Sequence, residues 1–250
     1  MKLAAIFVAW SDCPDLLWKS VKNISPAVDR VYVVWSDFSN SGERIEFKFR
    51  DLDFVPVHCE PSHKCFKQEN ERTKRNAGID QARRDGFTHF IMMDSDEFYQ
   101  QADVLRDRER VERENLNGLV CGLRVYIKEP TLWCEDHTLV PFIIRITPDL
   151  TMGNNKRFPY AYDDKGACHI DPTRRPSHVH GIAWTTTIMH HFSYVRQDID
   201  LKIRNSTANL ERSRDIILKD LAEAKPGYQS LLYHKELKLT QDIFGINEKD

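Results

Sequence analysis

The sequence predicts an α/β fold: a mainly parallel sheet flanked by helices, followed by an irregular later region and a helical C-terminus. Three observations carry this. Short apolar runs alternate with helical patterns across residues 1–100, which implies right-handed crossovers between parallel neighbours. The run Phe87–Met93 is apolar except at Thr88 and His89, the composition of a strand covered on both faces. The chain has 250 residues and a net charge of −2, enough length for one substantial core and no global charge signature for nucleic acid or an anionic membrane.

The elements follow in order. Leu3–Trp10 is the first strand; Ser11-Asp12 ends it, and no small-residue cleavage pattern follows that would make it a signal-peptide core. Pro14–Ile24 opens with Pro at a helix start and places Leu16, Leu17 and Val21 on one face. Arg30–Trp35 is a second strand and Phe54–His58 a short third. A helix from Gln68 to Arg84 leads through Gly86 into the strand Phe87–Met93. Gln101–Glu114 is so rich in charge that a solvated helix without chemistry is expected. Leu119–Tyr126 and Leu139–Ile146 have strand composition and extend the sheet. Residues 148–183 are rich in Pro, Gly, Asp, His and Arg with no sustained period, as binding loops are. Gln197–Ala224 is charged and helical with Ile203, Leu210, Ile217 and Leu221 in one stripe; Pro226-Gly227 ends it, and Tyr228–Leu237 is expected as a last short helix.

The six cysteines (Cys13, Cys59, Cys65, Cys121, Cys134, Cys168) form no disulfide framework and are expected to be reduced. Two groups could hold zinc, His58, Cys59, His63 and Cys65, and Cys134 with His137, Cys168, His169, His178 and His180, although neither has Cys-x-x-Cys spacing. Nothing approaches the ~18 apolar residues of a membrane span. A soluble, cytoplasmic protein of one domain is expected, divided into residues 1–100, 101–196 and 197–250.

The chemistry concentrates where Phe87–Met93 ends, at Asp94-Ser95-Asp96. Residues i and i+2 of an extended chain point the same way, so Asp94 and Asp96 can present two hard oxygen ligands to one divalent cation while Ser95 faces away. Mg²⁺ and Mn²⁺ suit such carboxylates and complete their coordination with substrate phosphate. Ligands of open α/β sheets bind beyond the carboxyl ends of the strands, so the ends of the first two strands fall on the same edge. There Asp37, Trp10 and Asp12 are candidate nucleotide contacts, a carboxylate for a base or ribose hydroxyl and an aromatic to cover the base; an ordinary turn or helix cap explains each equally simply.

Lys74-Arg75-Asn76-Ala77-Gly78-Ile79, then Ala82, Gly86 and the apolar strand into Asp94-Ser95-Asp96, resembles the signature of glycosyltransferases of the GT-A fold, closest to the family-2-like branch. The resemblance covers residues 71–99. It implies a GT-A-type, Rossmann-like sheet, a nucleotide-sugar donor (a UDP-sugar first) bound in residues 1–100 and held through Mn²⁺ or Mg²⁺, with Ser95 beside the ligands and Arg75 near the diphosphate. His191, Phe192, Tyr194, Val195 and Arg196 resemble a late motif of the same branch, which implies His191 as a third metal ligand and Arg196 as a partner for the departing diphosphate; His190 is the weaker histidine. Metal-dependent transfer of a sugar to a hydroxyl acceptor follows, the acceptor a saccharide or other glycan reached from residues 101–196.

An inverting reaction needs an Asp or Glu as base; Asp136, Asp163 and Asp164 are the candidates, and retention is equally open. Asp96→Ala is expected to abolish metal-dependent turnover with the fold intact. A hydroxymethylated base in DNA is an alternative acceptor, with Lys156-Arg157 and Arg174-Arg175 gripping phosphate while Tyr160, Tyr162 and His180 stack on an extruded base. A nucleotidyltransferase would carry a Gly-rich basic loop after the first strand, where Trp10-Ser11-Asp12-Cys13-Pro14 stands instead. A non-catalytic nucleotide-sugar-binding module is the remaining class. Two acids buried in ion pairs, or splayed away from any cleft, would each collapse the transferase reading.

Overall fold

The computed structural model describes residues 1–10, 13–153, 174–179, 181–208 and 210–248, and the backbone of 162–163 and 166–167. Its first half is built from β1 (Leu3–Val8), α1 (Pro14–Ile24), β2 (Arg30–Trp35), β3 (Val55–His58), α2 (Lys67–Arg84) and β4 (His89–Asp94). There follow β5 (Glu97–Phe98), α3 (Gln101–Glu114), β6 (Gly118–Ile127), β7 (Leu132–Arg145), a separate antiparallel pair β8 (Tyr162–Asp163) and β9 (Gly166–Ala167), and β10 (Ile182–Tyr194). The chain ends with α4 (Ile199–Asn205), α5 (Arg214–Glu223) and β11 (Lys238–Leu239). The main sheet has the order β3-β2-β1-β4-β7-β6-β10-β5, with β11 on β7. It is mixed and mostly parallel, β7 and β5 running against the rest.

β1 lies between β2 and β4, and Leu3, Ala4, Ala5, Ile6 and Phe7 are buried on both faces, which explains their uninterrupted apolar composition. One face meets α2. There Ile79 and Ala82 pack on Ile6, Tyr32 and Val34, and Gly78 brings helix and sheet so close that a Cβ would stand 2.3 Å from Ile6 Cγ2. Gly86, at φ +77°, supplies the left-handed residue that ends α2 and turns the chain into β4. The opposite face holds the largest core cluster, which runs from Leu3 through Val21, Val104, Phe142 and Ile203 to Leu237 and so draws on all three stretches of sequence.

Three expectations are corrected. β7 begins at Leu132 rather than near 139, because Trp133 and Cys134 pair with Tyr126 and Val125 and carry the polar residues 135–138 along in the ladder. The charged helix α3 is not wholly solvated: Asp107 is buried and accepts hydrogen bonds from Thr185 and, at 2.7 Å, from Thr187. Residues 228–237 form turns rather than a helix. The buried Asp220 carboxylate accepts the Leu231 and Leu232 amides at 2.9 and 3.1 Å and the Ser230 hydroxyl at 2.7 Å. Gly227 and His234 take positive φ, and Gln229 bridges Glu236. Among the described residues no helix is long and apolar enough to cross a membrane.

Candidate functional site

β1 and β4 end level with each other, Val8 paired with Asp94, so Ala9-Trp10 and Ser95-Asp96 emerge side by side at the carboxyl edge of the sheet. They floor a cleft of about 120 Å³. Ser39 and Asn40 after β2 and Glu71 and Lys74 of α2 form one wall, and Lys202 with Asn205, Ser206 and Thr207 forms the other. Sites that enclose a whole organic ligand run to roughly 300–1,000 Å³, so this cleft encloses one polar portion and leaves the remainder on its open rim. The walls are tied together: Asn70 donates to the Asn40 carbonyl at 3.0 Å, Asn205 donates to Glu43 at 2.6 Å, and Gln68 donates to the Thr207 carbonyl at 2.8 Å.

β4 ends at Asp94, and Ser95 and Asp96 lie in the turn to β5, so strand alternation stops one residue short of the second acid. Ser95 therefore lines the cleft together with both aspartates instead of facing away. Every carboxylate oxygen of the pair carries a positive or ionisable partner. Asp94 Oδ1 stands 3.0 Å from Arg75, and Oδ2 accepts from Arg174. Asp96 Oδ1 stands 3.4 Å from His191 Nε2, and Oδ2 accepts from Arg196 and, at 3.2 Å, from Lys202. Arg174 also bridges to Glu97, whose carboxylate in turn accepts the Asp94 amide at 2.9 Å.

Burial alone would raise both aspartates. For Asp94 the charges of Arg174 and Arg75 outweigh it and hold the carboxyl below the usual range; for Asp96, Lys202, His191 and Arg196 hold it well below. Asp94 keeps 31% of its side chain exposed toward the cleft, Asp96 only 2%. Of the two outcomes that would each sink the transferase reading, burial in ion pairs is met by Asp96 but not by Asp94, which is ion-paired yet 31% exposed, and neither acid is splayed away from the cleft.

The predicted residues separate clearly. Asp94, Ser95, Asp96 and Trp10 line the cleft, and His191 and Arg196 reach Asp96 from β10 and the turn after it. Trp10 is buried, and its indole N–H has no hydrogen-bond partner among the described residues, a donor at the cleft floor in want of an acceptor. Arg75 is fully buried behind Asp94, also paired with Glu71, so it braces the acid rather than meeting a ligand. Asp37 does not line the cleft; its carboxylate accepts the Phe47 amide at 2.7 Å and fixes the loop that delivers Ser39 and Asn40. Asp136 accepts both the amide and the hydroxyl of Thr138 at 2.9 Å, away from the lining. His190 is buried against Tyr126, 2.7 Å from its hydroxyl, as a structural histidine.

Asp12, Asp164, Lys156, Arg157, Tyr160, Cys168, His169 and His180, and the side chains of Asp163 and Tyr162, lie outside the described residues. Arg174, expected in a solvated basic loop gripping DNA, is instead buried against Asp94 and Glu97, which removes half of that expected basic pair. Among the described residues no three His, Cys, Asp or Glu side chains converge on a point that could hold a metal, at the first proposed zinc group or at the cleft.

Sequence reasoning missed Glu97, Lys74, Lys202 and the polar segment 205–207. Glu97 was adjacent to the motif and carried a signal, a third acid. Lys202 stood in a charged helical stretch and carried none. Around the two aspartates the protein gathers five cationic side chains, Lys74, Arg75, Arg174, Arg196 and Lys202, against four carboxylates, Glu71, Asp94, Asp96 and Glu97, so the edge is locally positive in a chain of net charge −2.

No family model matches the chain, and no curated protein matches it. Among solved structures it is similar to S. aureus TarS, at TM-score 0.44 and 14% identity over 89% of this chain and 43% of that one. TarS 1–349 gives TM-score 0.45 at 13% identity, covering 89% and 71%, and TarS 1–349 in complex with UDP-GlcNAc gives 0.43 at 14%, covering 89% and 72%. The chain thus spans under half the length of the longer TarS chain. The likeness is distant, and the chemistry of the cleft is read from its own side chains.

Proposed function

We propose that the protein is a glycosyltransferase that moves a sugar from a nucleotide-sugar donor, a UDP-sugar first, to a hydroxyl of a saccharide or other glycan. The single observation that carries this is the cleft at the carboxyl ends of β1 and β4, where the Asp94-Ser95-Asp96 turn faces Lys74 and Lys202. A polar pocket at that edge, lined by the cations Lys74 and Lys202 and the carboxylates Glu71, Asp94 and Asp96 and too small for a whole donor, suits a diphosphate whose sugar and nucleoside extend over the rim. In the reaction the bond from the anomeric carbon to the diphosphate oxygen breaks, its electron pair staying on that oxygen. The acceptor oxygen bonds the carbon and loses its proton to a carboxylate.

The donor set fits a divalent cation by type: Asp94 and Asp96 offer oxygens, and His191 offers an imidazole beside Asp96. Mn²⁺ or Mg²⁺ would be held chiefly by Asp94, the more exposed acid, in exchange for its Arg174 contact. Bound there, the ion would supply Lewis-acid stabilisation of the leaving diphosphate. The chain's own residues do the rest. Arg75 and the Glu97 carboxylate, through the Asp94 amide, fix Asp94 in place.

Donor hydrolysis screened across several nucleotide-sugars with Mn²⁺ tests the reading. Asp94 is the residue to change, because Asp96 neutralises three partners in a buried setting and losing it would cost about 3–5 kcal/mol of stability; the expectation that Asp96→Ala leaves the fold intact is corrected accordingly. Asp94→Asn keeps the shape and should lower kcat by about 100-fold or more; because it also removes the charge facing the buried Arg75 and Arg174, Tm should fall, and kcat is compared where the variant is still folded. Full activity in that variant, or no turnover and no nucleoside-diphosphate binding in the unaltered protein, overturns the assignment.

A further inference from the structure

Lys202 enters the cleft from α4, a helix begun by the Asp198 carboxylate, which accepts the Leu201 amide at 2.8 Å. Asp96 holds two side chains that stay charged near neutrality, and they differ in reach. Arg196 is 3% exposed and is not part of the cleft lining, whereas Lys202 is 19% exposed and is. Across from it Lys74 lines the same cleft from α2, anchored to the Phe38 carbonyl at 3.1 Å. The contact with Asp96 aims Lys202 while it is partly out of water, the condition under which a charge-assisted bond to phosphate is strongest.

We propose that Lys202 is the contact for the donor's diphosphate, so that diphosphate binding does not depend on the divalent cation. This rests on the transferase reading and adds to it a residue and an order of events. Asp96 then acts on the ligand through Lys202, as a positioning residue, and Asp94 is left as the acid available to a metal. The diphosphate arrives on Lys202 first.

The test is calorimetric titration of inorganic pyrophosphate and of UDP into the full chain in EDTA, then with Mn²⁺, for the unaltered protein, Lys202→Met and Lys202→Arg. Both probes should bind the unaltered protein in EDTA. Lys202→Met should bind them about 10- to 100-fold more weakly at an unchanged melting temperature, and Lys202→Arg should recover most of the loss. A merely structural lysine would not lose pyrophosphate binding at constant stability. If Lys202→Met melts early, the unaltered protein and Lys202→Arg still decide the matter through the EDTA titration. Binding that appears only with Mn²⁺, or Lys202→Met binding like the unaltered protein, overturns the proposal and leaves the transferase reading standing. No binding of either probe with or without Mn²⁺ removes both.

Discussion

At the scale of single residues, the same burial that makes the site also sets how the protein responds to acid. His190 lies under Tyr126 and beside Phe244, and burial, aided by the nearby Arg124 charge, pushes its imidazole down to about 4. His89 at the start of β4 is pushed down to about 4 by burial and by Arg145. In the unfolded chain both return to about 6.5. The unfolded state therefore takes up these protons first as pH falls, and the stability they represent is complete above pH 6.5 and is lost between 6.5 and 4. The aspartates act lower: held below their ordinary value of 3.8, Asp94 and Asp96 contribute stability that is lost only as pH falls through their folded values. Thermal melts from pH 7 to 4 should show Tm falling across that window, with a shallower fall in His190→Asn. An identical slope in the variant would mean that His190 is not titrating as its burial requires.

At the scale of elements, the N-terminal alternation was legible because β1, β2 and β4 are covered on both faces, so composition alone marks them; α1, β2 and α3 fall on the predicted bounds. Where tertiary contacts decide, local pattern failed. Residues 135–138 are polar yet paired because β6 and β7 are long partners, and residues 228–237 are turned by one buried carboxylate eight to twelve positions upstream. The site follows the same division. Its acids were visible as a motif on one strand end, whereas Lys202 and Arg174 are brought in from distant segments, and nothing local announces them. The motif glycine Gly78 has a packing role that the structure makes quantitative. A Cβ there would meet Ile6 Cγ2 at 2.3 Å and Val34 Cγ2 at 2.8 Å, so α2 must lift from β1 and β2. Gly78→Ala should destabilise by about 1–3 kcal/mol from overpacking, which exceeds the ~1 kcal/mol that alanine gains in helix propensity. Urea denaturation checks it, and Ile6→Ala in the same chain should restore part of the loss; a stabilised single variant would mean that the helix is not seated this closely.

At the scale of the whole molecule, the site draws on every stretch of the chain. Residues 1–100 line the cleft with Trp10, Lys74 and Asp94 and the last stretch with Lys202 and Asn205, while residues 101–196 brace its acids from outside the lining, Arg174 on Asp94 and His191 and Arg196 on Asp96. The largest core cluster spans the same three stretches, from Leu3 to Leu237, and β4 of the first is paired to β7 of the second. A shared core and a shared ion-pair network couple the stretches, so they should lose structure together. Trp10, Trp18 and Trp35 report on the first stretch and Trp133 and Trp184 on the second, while far-UV dichroism reports on all. Unfolding in urea should give coincident curves by fluorescence and dichroism. UDP at a hundred times its Kd should shift both by about 2.7 kcal/mol, because a ligand seated between the first and last stretches, on acids braced by the middle one, binds only the state in which they are joined. Separate transitions, with UDP moving only one of them, would mean that the nucleotide-binding half stands as a unit by itself, and would limit the ligand's contacts to that half.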